Sequence, residues 1–208
     1  MARDIITGKR AKSYDDLNVK FAERFNLLNN FVVKHVAKNT KVCDLATGTG
    51  ADIEILKDKV KEIVGVDLSK DMLEICKKKF SSKKVKLKYA SATETGLKDS
   101  YFDYVILRLG FHHIKDKKAV VDEAHRILKP NGKFIVIDKF YLNLFEYFWK
   151  AMKKLFFELR LDIFEHMVSK QKNIDLLTSK FKITTEIYLP YEKNHTGQIF
   201  MFVLEKKK

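Results

Sequence analysis

Apolar residues recur along this chain in two rhythms, which predict strands that alternate with helices. Four short apolar runs predict buried strands; they lie at 42–45, 63–67, 101–107 and 133–138. Apolar positions at steps of three and four predict the intervening helices over 51–59, 70–80 and 117–128. A further run at 85–90 alternates apolar residues with lysine and predicts a strand near the sheet edge. This order is typical of an α/β fold with a parallel sheet.

The segments on either side of this core have patterns of their own. Helical spacing within 1–40 predicts a helical cap on the sheet edge or on a ligand. Aromatic residues crowd 139–172 and predict a helical insertion, which either packs on the sheet or another copy, or forms a pocket for a lipid-like or aromatic molecule. Residues 173–208 predict a short helix and a closing hairpin. We therefore predict one domain over 1–208 with its ligand-binding core at 41–138.

Composition and charge limit the setting more than they identify the function. No run approaches the roughly 18 apolar residues of a membrane-spanning helix, and the first residues lack the apolar centre of a signal peptide. Cys43 and Cys76 have no CxxC partner, so we expect a cytoplasmic protein without a metal site. The net charge of +14 would attract RNA, an anionic membrane surface or an acidic metabolite, without choosing among them.

The stretch V-C-D-L-A-T-G-T-G over 42–50 is the first feature that carries chemistry. An apolar run ends in a loop with Gly48 and Gly50, and a helix follows, as at the start of a nucleotide-binding crossover unit. The dinucleotide pattern G-x-G-x-x-G is present only in a degraded form, and the phosphate-binding G-x-x-x-x-G-K-S/T is absent. Asp44, just before the loop, would repel a pyrophosphate but would hold a cationic group.

A second acidic residue follows the glycine loop at an informative distance. Asp67 ends the next apolar run, 19 positions after Gly48. An acid at about this spacing commonly accepts hydrogen bonds from the hydroxyl groups of a ribose. The pair of features therefore predicts a ligand that contains a nucleoside.

Five spaced motifs resemble a known family. In chain order they are D-L-A-T-G-T-G at 44–50, G-V-D-L-S at 65–69, F-D-Y-V-I at 102–106, H-H-I at 112–114 and E-A-H-R-I-L-K-P-N-G-K-F-I-V-I-D at 123–138. The series resembles that of the class I S-adenosylmethionine-dependent methyltransferases, and most of all the group that contains the ubiquinone and menaquinone C-methyltransferases. The resemblance implies a Rossmann-like, doubly wound, seven-stranded sheet with the last strand antiparallel.

The resemblance also implies a set of site residues for S-adenosylmethionine. The loop would line the methionine moiety, with Asp44 behind it, Asp67 on the ribose, and other residues on the adenine, the amino group or the lid. The full set comprises Tyr14, Asp44, Ala46, Thr47, Gly48, Thr49, Gly50, Asp67, Leu68, Met72, Ser91, Ala92, Thr93, Arg108 and Leu109. His112 and His113 are the local candidates for a catalytic base, since neutral imidazole can accept a proton near pH 7.

The acceptor remains open between two classes at this point. The chain departs from the quinone enzymes where they carry an Arg-Asn pair, since it has His112 and His113 there. A small-molecule or lipid-like acceptor, including a quinol, is one hypothesis. RNA methylated on a base carbon or a ribose is the other, although the Asn/Asp-Pro-Pro-Tyr/Phe motif of amino-purine methyltransferases is absent.

Overall fold

The computed structural model describes residues 5–12, 14, 22–141, 170–190 and 197–207. Strands in this part of the chain are β1 (Lys41–Leu45), β2 (Glu62–Asp67), β3 (Val85–Tyr89), β4 (Phe102–Arg108), β5 (Leu128–Tyr141), β6 (Phe181–Pro190) and β7 (Gly197–Lys206). The α-helices are α1 (Gly8–Lys12), α2 (Ala22–His35), α3 (Ala51–Leu56), α4 (Lys70–Lys79), α5 (Lys117–Ile127) and α6 (Lys170–Lys180), and a 3₁₀ turn spans Phe111–His113.

The strands form one sheet in the order β3-β2-β1-β4-β5-β7-β6. Strands β1 to β5 are mutually parallel, whereas β7 runs antiparallel to both β5 and β6. The predicted fold class, a seven-stranded sheet with its last strand antiparallel, is confirmed. Chain order changes direction between β1 and β4, and in open α/β sheets ligands bind outside the carboxyl ends of the strands at such a point.

Helices cover both faces of this sheet, as a doubly wound fold requires. In β1, Cys43 and Leu45 join the core beneath α5 and α6, while Val42 joins the core beneath α2, α3 and α4. This division follows from the strand geometry, in which successive side chains point to opposite faces. Burial on both faces explains why the central strands are almost continuously apolar in sequence.

Three element boundaries differ from the sequence prediction. Helix α3 ends at Leu56 instead of continuing to 59, and α6 begins at Lys170, four residues before the helix predicted from the pattern. Residues 129–132, predicted as a separate turn before a strand, belong to β5 as a bulge opposite the start of β4. Asn131 has a φ of 62°, which a glycine-like asparagine tolerates and which lets the strand bulge without ending.

The predicted helical insertion falls mainly outside the described residues. Strand β5 continues to Tyr141, so the insertion cannot begin at 139 as predicted, and residues 142–169 lie outside the described part of the chain. Among the residues that the structure describes, no helix combines the length and the apolar character needed to cross a bilayer.

The backbone of Gly50, at the start of α3, should tolerate no side chain. Its φ is 90°, and an added Cβ would lie 2.6 Å from the Phe80 ring and 2.7 Å from Cys76 Sγ. We expect Gly50→Ala to lower the free energy of unfolding by roughly 2–4 kcal/mol, the sum of backbone strain and overpacking. Urea denaturation monitored by circular dichroism would measure this loss.

Gly48→Ala provides the matched control for that measurement. Gly48 also has a positive φ, of 55°, but an added Cβ there would meet nothing within 4 Å. Backbone strain alone should cost about 1–2 kcal/mol. Equal losses in the two variants would contradict the steric explanation.

Candidate functional site

A cavity of about 1030 Å³ opens at the carboxyl ends of β1, β2 and β4. It lies at the point where the strand order changes direction. Its walls contain twelve of the residues named from the sequence: Tyr14, Ala46, Gly48, Asp67, Leu68, Met72, Ser91, Ala92, Thr93, Arg108, Leu109 and His113. The fold therefore gathers residues that are up to 99 positions apart onto one surface.

The other five predicted residues do not line this cavity. Asp44, Thr47, Thr49, Gly50 and His112 are absent from its walls. Asp44, Thr47 and Thr49 are buried, with 2%, 6% and 2% of their surface exposed. They support the loop from behind, which is the position the sequence predicted for Asp44 alone.

Asp67 connects the end of β2 to the glycine loop. Its Oδ2 accepts a hydrogen bond from the Gly48 backbone N–H at 2.8 Å, and its Oδ1 accepts one from the Ser69 N–H at 2.7 Å. Burial raises the pKa of the Asp67 carboxyl, and these backbone donors partly offset the rise. Each carboxylate oxygen can accept a second hydrogen bond, so Asp67 retains capacity for two ligand hydroxyl groups.

The loops after β1 and β4 approach each other closely at the cavity floor. Ala46 and Leu109 both line the cavity with positive φ angles, 55° and 53°, although neither is a glycine. A Cβ added to Gly110 would lie 2.8 Å from the Cβ of Ala46. Non-glycine residues in this backbone region are uncommon and cluster at ligand sites, because the surrounding structure must hold them there.

Three buried charged side chains lie beside the loop. Arg108 Nε is 3.3 Å from Asp52 Oδ2, and Arg108 Nη1 donates to Asn29 Oδ1 at 2.7 Å. Asp44 Oδ2 accepts a hydrogen bond from Thr47 Oγ1 at 2.5 Å. Burial raises the pKa of Asp44 well above its usual value, and the nearby Asp52 carboxylate raises it further. With both acids ionised, the cluster of Asp44, Asp52 and Arg108 has a net charge of −1.

The adenine edge predicted from the sequence forms a compact polar turn. Ser91 Oγ and Thr93 Oγ1 share a hydrogen bond of 2.7 Å, and the Thr93 N–H donates to Ser91 Oγ at 3.2 Å. Leu68 and Met72 contribute apolar surface to the same cavity. The two hydroxyl groups therefore sit beside an apolar wall, an arrangement suited to a flat heterocycle with polar edges.

The two histidines occupy different positions. His113 lines the cavity, while the ring of His112 lies against that of His113 with their centroids 3.9 Å apart. His112 Nδ1 lies 2.5 Å from Asp138 Oδ1, and the His112 backbone N–H donates to Asp138 Oδ2 at 2.9 Å. An ionised carboxylate only accepts hydrogen bonds, so the Nδ1 atom of His112 carries a proton in this pairing.

Several residues of the site were not predicted from the sequence. Asp52, Asn29 and Asp138 hold predicted residues in place, and Ile5 and Ile6 line the cavity from the N-terminal segment. The Ser69 hydroxyl fixes that segment by donating to the Ile6 carbonyl at 2.5 Å. Asp138 carried a usable signal, since it ends an apolar strand as Asp67 does.

Comparisons with known proteins agree with this geometry. Residues 43–136 match the family model described as a methyltransferase domain. A demethylmenaquinone methyltransferase from Staphylococcus aureus (strain JH9) is 33% identical over 170 residues, which cover 78% of this chain and 69% of that protein.

Solved structures share the fold. A Pyrococcus horikoshii protein is 25% identical, with a TM-score of 0.72, over 90% of this chain and 91% of that chain. A SAM-dependent methyltransferase from Methanosarcina mazei, 15% identical, has a TM-score of 0.68 and covers 85% of this chain and 96% of that chain. The chain belongs to the class I S-adenosylmethionine-dependent methyltransferases, and S-adenosylmethionine is its cofactor.

Asp44→Asn should stabilise the protein in the absence of cofactor. The native pKa of Asp44 lies above its unfolded value of about 4, so the wild-type protein loses stability as pH rises through the native pKa. The variant carries no charge to bury and avoids this loss, while its amide oxygen can still accept from Thr47. We expect its melting temperature at pH 8 to exceed that of the wild type by roughly 2–4 °C per kcal/mol gained.

Thermal unfolding from pH 4.5 to pH 8 would test this expectation. The gain should shrink as pH falls toward 4, where the wild-type carboxyl becomes protonated in both states. Asp58→Asn is the matched control, because Asp58 is exposed and follows the same helix. A melting temperature below that of the wild type at pH 8 would contradict the charge argument.

Proposed function

We propose that this protein transfers the methyl group of S-adenosylmethionine to a small, lipid-like acceptor of the quinol type. The observation that carries the proposal is the position of His113 in the wall of the cavity, backed by His112 and Asp138. The similarity to a demethylmenaquinone methyltransferase supports the same acceptor class.

The cavity residues fit the cofactor in charge and hydrogen bonding. Asp67 would accept hydrogen bonds from both ribose hydroxyl groups, and Leu68 and Met72 would pack beside the adenine. Ser91, Ala92 and Thr93 would meet the edge of the adenine ring, and Tyr14 would cover the site from the N-terminal side. When bound, S-adenosylmethionine supplies a methyl group on a positively charged sulfur. The net negative cluster behind the loop favours such a cation.

The size of the cavity leaves room for an acceptor beside the cofactor. Ligand pockets typically measure about 300–1,000 Å³, and this cavity reaches the top of that range. The wall formed by Gly110, His113 and Ile114 continues from the residues that we assign to the cofactor. An aromatic ring bound against this wall would have the His113 side chain at its edge.

A histidine at this wall suits a phenolic acceptor. A phenol has an ordinary pKa near 10, so a positioned base lowers the cost of removing its proton near neutral pH. Loss of the O–H proton to His113 leaves negative charge on the oxygen and on the ring carbon beside it. That carbon then becomes the nucleophile that a C-methylation requires. Asp138 acts as a positioning residue, since it fixes the orientation of His112 and through it the stacked His113 ring.

RNA is the second candidate acceptor, and the net charge of +14 is the observation that favours it. A folded RNA would bind the basic surface and present one nucleotide to the cavity. An anionic membrane surface would use the same charge to deliver a lipid-like quinol. Activity assays separate these two acceptors.

Asp67→Ala should weaken the binding of both S-adenosylmethionine and S-adenosylhomocysteine. The variant loses the acceptor for two hydroxyl groups and also the contact that holds Gly48. We expect a loss of at least 10-fold in affinity, about 1.4 kcal/mol. Isothermal titration calorimetry would measure it, with NAD as the control ligand and the exposed Asp58→Ala as the control variant. Unchanged affinity would remove Asp67 from the ribose site.

His113→Ala should slow methyl transfer without weakening cofactor binding. We expect kcat to fall by about 100-fold or more with a chemically reduced, short-chain demethylmenaquinol, as for the loss of a general base. His125→Ala is the control, because His125 packs against Phe181 and does not line the cavity. Methylation of the quinol with no incorporation into RNA would support the proposal. Incorporation into RNA alone would replace it, and undiminished turnover would exclude His113 as the base.

A further inference from the structure

Two atoms in the charged cluster beside the loop make no hydrogen bond. Asp52 Oδ1 and Arg108 Nη2 are both buried and lack a hydrogen-bond partner in the part of the chain that the structure describes. Their side chains are only 3% and 5% exposed. A buried polar group without a partner costs about 1–3 kcal/mol, and more when it is charged. Two such atoms on neighbouring side chains point to a ligand that completes them.

The surroundings of Arg108 leave one edge of its guanidinium for such a ligand. Asn29 accepts from Nη1, and Asp52 Oδ2 lies beside Nε. The Phe25 ring, on the same helix as Asn29, lies 5.9 Å from Arg108 Cζ. These contacts hold the guanidinium from the sides of α2 and α3. The Nη2 edge is the one left unused, and Arg108 lines the cavity.

The two unsatisfied atoms have complementary chemistry. Nη2 is a cationic donor, which prefers a carboxylate, and Oδ1 is an anionic acceptor, which prefers an ammonium group. An α-amino acid carries both groups on one carbon. Asp67 accounts for the ribose of the cofactor, so the amino-acid end is the polar part of that molecule still without side-chain partners.

The charge of the cluster agrees with this match. Asp44, Asp52 and Arg108 sum to −1 when both acids are ionised. The amino-acid end of S-adenosylmethionine, together with its sulfonium, has a net charge of +1. Binding would therefore bring the buried charges to balance, which removes much of the cost of burying them.

We propose that Arg108 and Asp52 bind the amino-acid end of the cofactor. Arg108 Nη2 donates to the carboxylate and Asp52 Oδ1 accepts from the ammonium group. This assignment rests on the proposed function and deepens it, because it gives a role to two side chains whose chemistry the reaction itself does not use.

Ligand truncation combined with substitution provides the test. S-adenosylhomocysteine has the amino-acid end, whereas 5′-methylthioadenosine keeps the adenosine and the thioether but lacks that end. By calorimetry, Arg108→Gln and Asp52→Asn should each weaken S-adenosylhomocysteine binding by at least 10-fold. Their affinity for 5′-methylthioadenosine should stay within about twofold of the wild-type value. Glu54→Gln is the matched control, because it removes an acidic charge from an exposed position of the same helix.

The outcomes separate this inference from the function on which it rests. Equal losses for both ligands would show that the pair only supports the fold and would overturn the inference. Unchanged affinity for S-adenosylhomocysteine would overturn it as well, while leaving cofactor binding intact. A wild-type protein that bound neither ligand would overturn the proposed cofactor site and this inference together.

A second measurement keeps the test decisive if Arg108→Gln fails to fold. A crystal structure of the wild-type protein with S-adenosylhomocysteine should place a carboxylate oxygen within about 3.2 Å of Arg108 Nη2. The amino nitrogen should lie at a similar distance from Asp52 Oδ1. An amino-acid end bound elsewhere in the complex would overturn the assignment.

Discussion

The pairing of β1 with β4 is the constraint on which the site depends. Asp44 pairs with Ile106 and Leu45 with Leu107, so the loops that follow the two strands leave the sheet side by side. The contact between Ala46 and Gly110 and the positive φ angles of Ala46 and Leu109 are consequences of that proximity. A slip in this register would move the strand residues to the wrong faces and close the crevice.

The buried charges show that this site is not optimised for stability alone. A core of apolar residues in place of Asp44, Asp52 and Arg108 would avoid the desolvation of three ions. Local features that a stability argument disfavours tend to occur where function requires them. Here the raised pKa values of Asp44 and Asp52, the strained loop residues and the unsatisfied atoms all lie beside the same cavity.

Features carried by local sequence could be predicted, and features made by distant contacts could not. Asp67 was predictable because a strand end and a glycine loop at the right spacing are both visible in the sequence. The pairing of Arg108 with Asp52 and Asn29 joins three elements, and nothing local indicates which acid or amide the arginine meets. The separate positions of His112 and His113 depend on Asp138, whose strand lies beside β4 only in the folded protein. The bulge at Asn131 was hidden because its sequence is also typical of a turn.

The charge of the cavity wall bears on the choice of acceptor more directly than the charge of the whole chain. The wall includes two acids, Asp67 and Asp116, and two cations, Arg108 and Lys115, with Arg108 paired to Asp52. Its formal charge is therefore zero, and the excess of +14 lies elsewhere on the protein. A polyanion would gain its binding energy outside the cavity, whereas a neutral ring inside it would meet an apolar, charge-balanced wall with one imidazole. This distribution favours an uncharged phenolic acceptor at the site and leaves the basic surface to orient the protein toward an anionic partner.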